Sequence, residues 1–411
     1  MTNTKRFLAL LLTVIMSMAM FSFASAEGAD MLGKETLENP NVTIAAYWAI
    51  SDQVILDAIA EFEAKYGGKV TVNVVGWNKG ANAIQEAMTT GDMFDLVFTE
   101  GNARFPGDAV AELYQPIDEW LDYNAFDKAS LDAFLYKGDH YVYTNYAITQ
   151  PYLLIYNKTI FEEEGLDTPT DLFNAGEWTY AKFLEYCEYF TRDLDGDGAL
   201  DQWGIGPRYK NQNFGYANDG IIVKEVEGGK LAANIDAEEV KQYYEFLAEF
   251  QRINKEACKE VNLAARLHVM YSEAGPSAGV PTAEESTDEF DFVPLPTYDG
   301  RLATTPVWDN GYAMVKGAPN PEGAGVLMAM IGKAKMEAYD AQLKEQYTEE
   351  QVERYYTIMS KIVPQQRKYT GVTVNAGEGD ARNGVPAQTI VETYKSQLEQ
   401  QVADYNAALE N

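Results

Sequence analysis

Cysteine and histidine are scarce in this chain of 411 residues, which has two of each. Two cysteines cannot build a disulfide framework or a Cys-rich zinc site, and two histidines leave little for histidine-based metal catalysis. Basic residues are also few, since 32 Lys and Arg stand against 63 Asp and Glu, for a formal net charge of −31. Nucleic acids and anionic membranes are bound through clustered basic residues, so neither is an expected partner.

The longest apolar run lies at the N-terminus. Lys5 and Arg6 precede an apolar segment from Phe7 to about Met20, and the small residues Ala24 to Ala26 follow it. This pattern predicts a secretory signal peptide over residues 1–26, removed to leave an extracytoplasmic protein, periplasmic or extracellular. No cysteine stands at the cleavage site, so a lipid anchor is not expected. Residues 27–40 have no periodicity and are predicted to form a flexible leader.

The segment after the leader alternates between strand and helix patterns. Val42, Ile44 and Ala46 alternate as a strand, and apolar residues then recur at helical spacing up to Gly67. Two further strands are predicted, at 70–74 and 96–98, with a helix between them. Strand, helix, strand, helix, strand predicts an α/β fold with a parallel sheet and right-handed crossovers.

Ligands of such sheets collect beyond the carboxyl ends of the strands. Aromatic and polar residues follow all three predicted strands at those ends. The candidate ligand-binding residues there are Tyr47, Trp48, Trp77, Glu100, Asn102 and Arg104. One tryptophan alone could simply cover the core, but two at equivalent positions favour a binding site.

Three segments, in order along the chain, carry a resemblance to a known family. They are 60–72 with 90–97, the segment YTNYAITQPYLLIYNK at 143–158, and 293–296 with 310–314 and 320–322. With them the sequence resembles the extracellular solute-binding proteins of sugar ABC transporters, the maltose-binding-protein-like family.

The resemblance implies a two-lobe periplasmic-binding-protein fold, in which each lobe is a mainly parallel sheet flanked by helices and the ligand cleft lies at the hinge. It places lobe 1 at 41–148 plus 310–338 and lobe 2 at 149–309 plus 339–411, with crossings near 143–156 and 304–310. It also implies a monomer that captures a sugar or oligosaccharide without changing it and delivers it to the permease of an ABC transporter. A non-sugar solute stays open as an alternative.

A sugar site needs aromatic platforms for C–H faces and planar polar groups for hydroxyl pairs. The crossings and the second lobe supply both kinds of residue. The further candidates are Gln150, Tyr152, Arg208, Tyr209, Glu273, Trp308 and Asp309, with Asn211 and Asn213 in the same polar stretch as Arg208. Hinge packing is the alternative for Gln150 and Tyr152, and a surface ion pair is the alternative for Arg208.

An acidic loop forms a second motif. Asp193, Asp195, Asp197 and Asp201 occupy positions 1, 3, 5 and 9 of an EF-hand-type calcium loop, with glycine at position 6. Position 12 is Gly204 instead of the usual glutamate. The loop is therefore a candidate structural calcium site, with an ordinary acidic turn as the alternative.

Two enzyme hypotheses compete with the binding function. Residues 275–279 spell G-x-S-x-G, the pattern of a hydrolase nucleophile elbow, but both histidines precede Ser277, whereas an α/β-hydrolase places its histidine after the serine. A secreted glycoside hydrolase would also suit the many carboxylates. Neither has a specific motif, so the expectation is a protein that is not an enzyme. Cys187 and Cys258, predicted to lie in helices of one lobe, are expected to be buried thiols more often than a disulfide.

Overall fold

The computed structural model describes residues 28–76, 80–100, 105–132, 134–144, 150–207, 209–256, 258, 259, 262, 264–276, 280–282, 284–308, 310–364, 367 and 369–410. The strands within these residues are β1 Val42–Ala46, β2 Val70–Val74, β3 Leu96–Glu100, β4 Leu135–Tyr136, β5 Asp139–His140, β6 Val142–Thr144, β7 Gln150–Asn157, β8 Trp203–Ile205, β9 Val223–Glu225, β10 Leu231–Ala233, β11 His268–Ala274, β12 Phe290–Pro294, β13 Thr305–Trp308, β14 Asn310–Met314 and β15 Ile362–Pro364.

The helices are α1 Gln53–Tyr66, α2 Gly80–Thr90, α3 Gly107–Val110, α4 Lys128–Asp132, α5 Lys158–Glu164, α6 Pro169–Ala175, α7 Tyr180–Phe190, α8 Asn211–Ala217, α9 Glu238–Ile253, α10 Pro321–Gln346, α11 Glu349–Met359, α12 Glu378–Arg382 and α13 Ala387–Ala408. Short 3₁₀ turns cover Asp118–Trp120 and Glu227–Gly229. Among the helices described, none is long and apolar enough to span a membrane.

Lobe 1 is built on a sheet with the strand order β2-β1-β3-β14-β6. β1 pairs in parallel with β2 and β3, and α1 and α2 connect the three strands, as the sequence predicts. α1 begins at Asp52, whose carboxylate accepts the backbone N–H of Val54 at 3.0 Å. It ends at Gly67, whose φ of 74° is a left-handed conformation that glycine adopts without strain.

Lobe 2 is built on a sheet with the order β15-β13-β7-β11-β8, in which β12 also pairs with β7. The two-lobed α/β prediction is confirmed, but the sheets are mixed instead of mainly parallel. β7 runs antiparallel to β11, β12 and β13, and β14 runs antiparallel to β3 and β6. β6 and β14 flank the crossings in lobe 1, and β7 and β13 flank them in lobe 2, so one strand of each pair carries the chain into its lobe and the other carries it out, in the opposite direction.

Three connections between described elements join the two lobes. The chain runs from β6 to β7, from β13 to β14, and along α10, which packs Ala324 to Ile331 in the lobe 1 core and Leu343 in a lobe 2 cluster. The crossings that the resemblance implies, near 143–156 and 304–310, include the connections β6–β7 and β13–β14, whose residues 145–149 and 309 lie outside the described residues. β14 lies close to β6 because Gly311 has no side chain, since a Cβ there would stand 2.2 Å from the Tyr143 carbonyl oxygen.

Both faces of the lobe 2 sheet are covered. Leu154 and Tyr156 of β7 pack in the cluster with α7 and α9, whereas Leu153 and Ile155 pack with Leu343 of α10 and with residues of α11. Alternate residues of a strand point to opposite faces, so β7 reads as a continuous apolar run.

Two expectations about local structure are corrected. The predicted flexible leader packs against lobe 1, because Met31 is buried and its backbone N–H, like that of Leu32, donates to the Asp122 carboxylate. Cys187 lies in α7, but Cys258 follows α9 outside any helix. Both cysteines are buried and no disulfide joins them, as the more common outcome predicts.

Candidate functional site

Four aromatic rings cluster at the carboxyl end of the parallel strands in lobe 1. Trp48 lies 5.1 Å from Phe98 and 6.0 Å from Tyr47 between ring centroids, and Tyr312 lies 5.5 Å from Phe98. Tyr47 is buried, whereas 52% of the Trp48 surface is exposed. The two sequence-predicted residues therefore differ in role: Tyr47 supports the cluster, and Trp48 presents an aromatic face to solvent.

The strand register brings several predicted positions to the crossings. Asn310 pairs with Glu100, so the carboxyl end of β3 lies beside the start of β14. Trp308, the last residue of β13, pairs with Gln150, the first residue of β7. The backbones of three predicted site residues thus converge between the lobes, although their side chains lie outside what the structure describes.

Tyr152 and Lys210 are in contact in lobe 2, and the pair is called here the lobe 2 wall of the candidate site. The Lys210 ammonium donates to the Tyr152 hydroxyl at 3.2 Å and lies 5.3 Å from the centre of its ring. α8 begins at the next residue, Asn211, whose side-chain oxygen is shielded from solvent and accepts no hydrogen bond from a described group. Sequence reasoning missed Lys210, although its place between Tyr209 and Asn211 was a usable signal.

Two other predicted residues lie apart from that wall. Glu273 pairs with Leu153 and so points to the opposite face of β7 and β11 from Tyr152. Its carboxylate accepts the N–H of Ala274 at 3.0 Å. Tyr209 is half-buried with its ring 5.0 Å from Phe250, in contact with the lobe 2 core.

The remaining predicted site residues lie outside the described residues. They are Trp77, Asn102, Arg104, Arg208 and Asp309. Ser277 of the G-x-S-x-G pattern lies there too. The two histidines belong to different lobes: His140 stands before β6, and His268 begins β11.

The acidic loop follows α7, and three of its carboxylates lie close together. The side-chain oxygens of Asp193, Asp195 and Asp197 come within 4.8 Å of one another. Asp193 accepts the N–H groups of Gly196 at 2.6 Å and Gly198 at 2.8 Å. The bond from Gly198, followed by that from Gly196, holds the pKa of Asp193 below its usual range. A converging set of ionised oxygens is what a hard cation requires.

Asp201 takes a different place in this loop. Its carboxylate accepts the backbone N–H groups of Leu194 at 2.7 Å and Asp195 at 3.3 Å, and so closes the loop from outside the group of three. Gly204, the twelfth position, lies in β8 against the Cys187 backbone.

Comparison with known proteins adds a family. The model described as bacterial extracellular solute-binding protein matches residues 47–338. No protein of curated function matches the sequence at a significant level.

Solved structures share the fold over nearly the whole chain. An extracellular solute-binding protein from Staphylococcus aureus in complex with maltose is 13% identical with a TM-score of 0.66, covering 89% of this chain and 99% of that one. An ABC substrate-binding protein from Listeria monocytogenes with cycloalternan is 15% identical with a TM-score of 0.62, covering 90% and 100%. A cyclo/maltodextrin-binding protein with maltotetraose is 18% identical with a TM-score of 0.62, covering 92% and 98%.

At these identities the structural likeness establishes the fold, two lobes with a ligand cleft between them. The family match covers most of the chain, from the residue after β1 through both crossings to the first half of α10. The chain therefore belongs to the bacterial extracellular solute-binding protein family.

Proposed function

We propose that this protein captures a sugar or oligosaccharide between its lobes and delivers it unchanged to the permease of an ABC transporter. The observation that carries the proposal is Trp48, a half-exposed indole held by Phe98 and Tyr47 at the end of the parallel strands. An indole face of this kind stacks on the C–H face of a sugar ring, and the hydroxyl and ammonium of Tyr152 and Lys210 can bond sugar hydroxyls. The sugars bound by the structural neighbours support the same ligand class.

The domain limits and the remaining site residues belong to this proposal. Residues 41–148 plus 310–338 would move as lobe 1 and 149–309 plus 339–411 as lobe 2, with the change of lobe inside α10. The protein would act outside the cytoplasm as a monomer after loss of residues 1–26. The side chains of Glu100, Gln150, Trp308 and Asp309 would complete the site at the crossings.

Fluorescence titration tests the ligand class. We expect a saturable change in intrinsic fluorescence with at least one of maltose, maltotetraose, mannotriose and cycloalternan, and no new reducing ends on long incubation. Trp48→Ala should weaken binding by about 1 to 3 kcal/mol because a buried aromatic contact is lost. Trp203→Phe is the matched control, because Trp203 lies beside the acidic loop and is not one of the candidate ligand-binding residues. No saturation with any sugar would refute the ligand class, and steady product release would favour a glycoside hydrolase.

We propose further that the acidic loop binds a structural calcium ion through Asp193, Asp195 and Asp197. Three converging carboxylates fit a hard cation, and water would fill the place of the missing glutamate. Thermal unfolding in calcium should then occur at a higher temperature than in EDTA, and Asp195→Asn should abolish the difference. Asp404→Asn, in an exposed part of α13, is the control. Equal melting temperatures in the wild-type protein would refute the site.

A further inference from the structure

Lobe 2 also touches lobe 1 at a place separate from the three connections. Arg367, which follows β15, lies with its guanidinium carbon 5.0 Å from the centre of the Phe105 ring. Gly229, in the turn between β9 and β10, lies so close to Tyr136 that a Cβ would stand 2.4 Å from the Tyr136 ring. Leu409, the residue after α13, packs against the lobe 1 cluster that contains both rings. These five residues form what is called here the lobe contact.

The lobe 2 side of the lobe contact is held by lobe 2 itself. The Arg367 guanidinium donates to the Glu225 carboxylate of β9 at 2.5 Å, and the Tyr369 hydroxyl donates to the same carboxylate at 3.2 Å. The end of α13 is joined to β10, because the Asn406 side-chain amide donates to the Leu231 carbonyl at 2.9 Å and accepts the Leu231 N–H at 2.8 Å. The lobe 2 residues of the contact therefore move together with their lobe.

Empty space flanks the lobe contact. A cavity of about 490 Å³ beside Arg367 lies between Leu135 of lobe 1 and Tyr216 of lobe 2. Another cavity, of about 440 Å³, lies between Val110 of lobe 1 and Tyr405 of lobe 2. A protein interior is close-packed and has few voids even as large as a water molecule. The lobes are therefore held together here by a few separate contacts, which can part when one lobe rotates against the other.

The lobe contact and Trp48 lie on opposite faces of the lobe 1 sheet. Trp48 packs beside Phe98, and Tyr312 of β14 lies next to Phe98 in the cluster on that face. The next residue of β14, Ala313, packs in the cluster that contains Phe105. Successive residues of a strand point to opposite faces, which fixes the two sides. β14 leads out of the crossing β13–β14, so a rotation of lobe 2 about that crossing towards Trp48 carries it away from Phe105.

We propose that the lobe contact holds lobe 2 turned away from Trp48 and thereby opposes closure of the cleft on the ligand. The proposal rests on the proposed function, because it takes Trp48 as the platform on which the ligand is held. A contact that forms only in the open arrangement lowers the population of the closed one, and the apparent affinity falls with that population. Residues outside the ligand site thus set its affinity.

Calorimetry of the mature protein with maltotetraose, and with the other panel sugars, measures the effect on affinity. Arg367→Gln removes the cation from the Phe105 ring and should tighten binding about 3- to 10-fold. Leu409→Ala, at the end of the chain, should change affinity in the same direction. Arg252→Gln is the matched control and should bind like the wild type, because Arg252 pairs with Glu249 of its own helix, α9. Unchanged or weaker binding in Arg367→Gln would overturn the proposal.

Small-angle X-ray scattering without ligand tests the lobe arrangement directly. The double variant Arg367→Gln, Leu409→Ala should have a smaller radius of gyration than the wild type, because lobe 2 turns towards Trp48 once the lobe contact is lost. Arg252→Gln should scatter like the wild type. Equal radii of gyration in the double variant and the wild type would count against the lobe contact and overturn the proposal. If no panel sugar binds to any variant, the sugar class fails, and the scattering still decides whether the lobe contact sets the arrangement of the lobes.

Discussion

The two histidines are expected to titrate in opposite directions from their ordinary pKa. His140 lies in lobe 1 with its Nδ1 2.7 Å from Asp118 and its Nε2 3.3 Å from Asp132. Burial alone would lower its pKa, but the hydrogen bonds to the two carboxylates outweigh burial and raise it to about 9. His268 is fully buried, neither ring nitrogen has a described partner, and burial lowers its pKa to about 4.

The difference from an unfolded histidine gives the energy involved. Against an unfolded value of about 6.5, a folded pKa of about 9 means that His140 stabilises the fold by about 3 kcal/mol when it is charged in both states. A raised pKa contributes fully below the unfolded value and is lost as pH rises through the folded one. The contribution should therefore be complete at pH 6, about 1 kcal/mol at pH 8 and almost absent at pH 10.

Urea unfolding of His140→Gln at pH 6, 8 and 10 measures this energy. The variant should be less stable by about 3 kcal/mol at pH 6, and the pH-dependent part of that loss should vanish by pH 10. His268→Phe is the control, because its replacement should cost the same at pH 8 and pH 10 and about 1 kcal/mol less at pH 6, where the unfolded histidine is charged and the folded one is neutral. The stability that His268 contributes changes with pH in the opposite direction, because its folded pKa is lowered. This contribution is present above pH 6.5 and is lost as the pH falls to about 4.

Nuclear magnetic resonance gives an independent check, since the chain has two histidines and His268→Phe assigns both ring signals. The remaining signal of His140 should titrate near pH 9 in the native protein. A midpoint near 6.5, or a stability loss in His140→Gln that stays constant from pH 6 to pH 10, would refute the reasoning about the two carboxylates.

Three further predictions concern the crossings and the cysteines. Trp308→Ala should weaken sugar binding by about 1 to 3 kcal/mol in calorimetry with little change in melting temperature, whereas intact affinity and a large drop in melting temperature would place the ring in the core. Gly311→Ala should lower the free energy of unfolding by about 1 to 3 kcal/mol, because its Cβ would meet the β6 backbone. Gly107→Ala, with open space at its Cβ, is the control and should lower it little. An equal loss of stability in the two variants would contradict the close approach of β14 and β6. Thiol titration of denatured, unreduced protein should count two thiols, from Cys187 and Cys258; none would mean a disulfide.

Local patterns were enough to predict the first half of lobe 1. The alternation in 42–46 and 70–74, the helical spacing between them, and the stops at Gly67 and Gly91 correspond to observed elements. Such elements follow from short-range periodicity and capping, which the sequence displays directly. Because parallel strands place their carboxyl ends at one edge, the position of Trp48 at that edge was also predictable.

The sequence could not show which face a residue of a fully buried strand takes. β7 is apolar from Leu153 to Ile155 because both of its faces are covered there. No polar–apolar alternation therefore shows that Tyr152 lies on the opposite face from Glu273. The leader likewise has no periodicity, and Asp122, some 90 positions away, accepts the backbone N–H groups of Met31 and Leu32 in the folded chain.

The assembly of the site was decided by tertiary structure alone. Glu100 meets Asn310 across one strand pair, and Trp308 meets Gln150 across another. Contacts between segments so distant in sequence depend on how whole strands and helices pack, and each segment carries no local record of its partner. The sequence by itself determined the elements, the family and the kind of residue available for a sugar, whereas packing decided which strand ends lie side by side at the crossings.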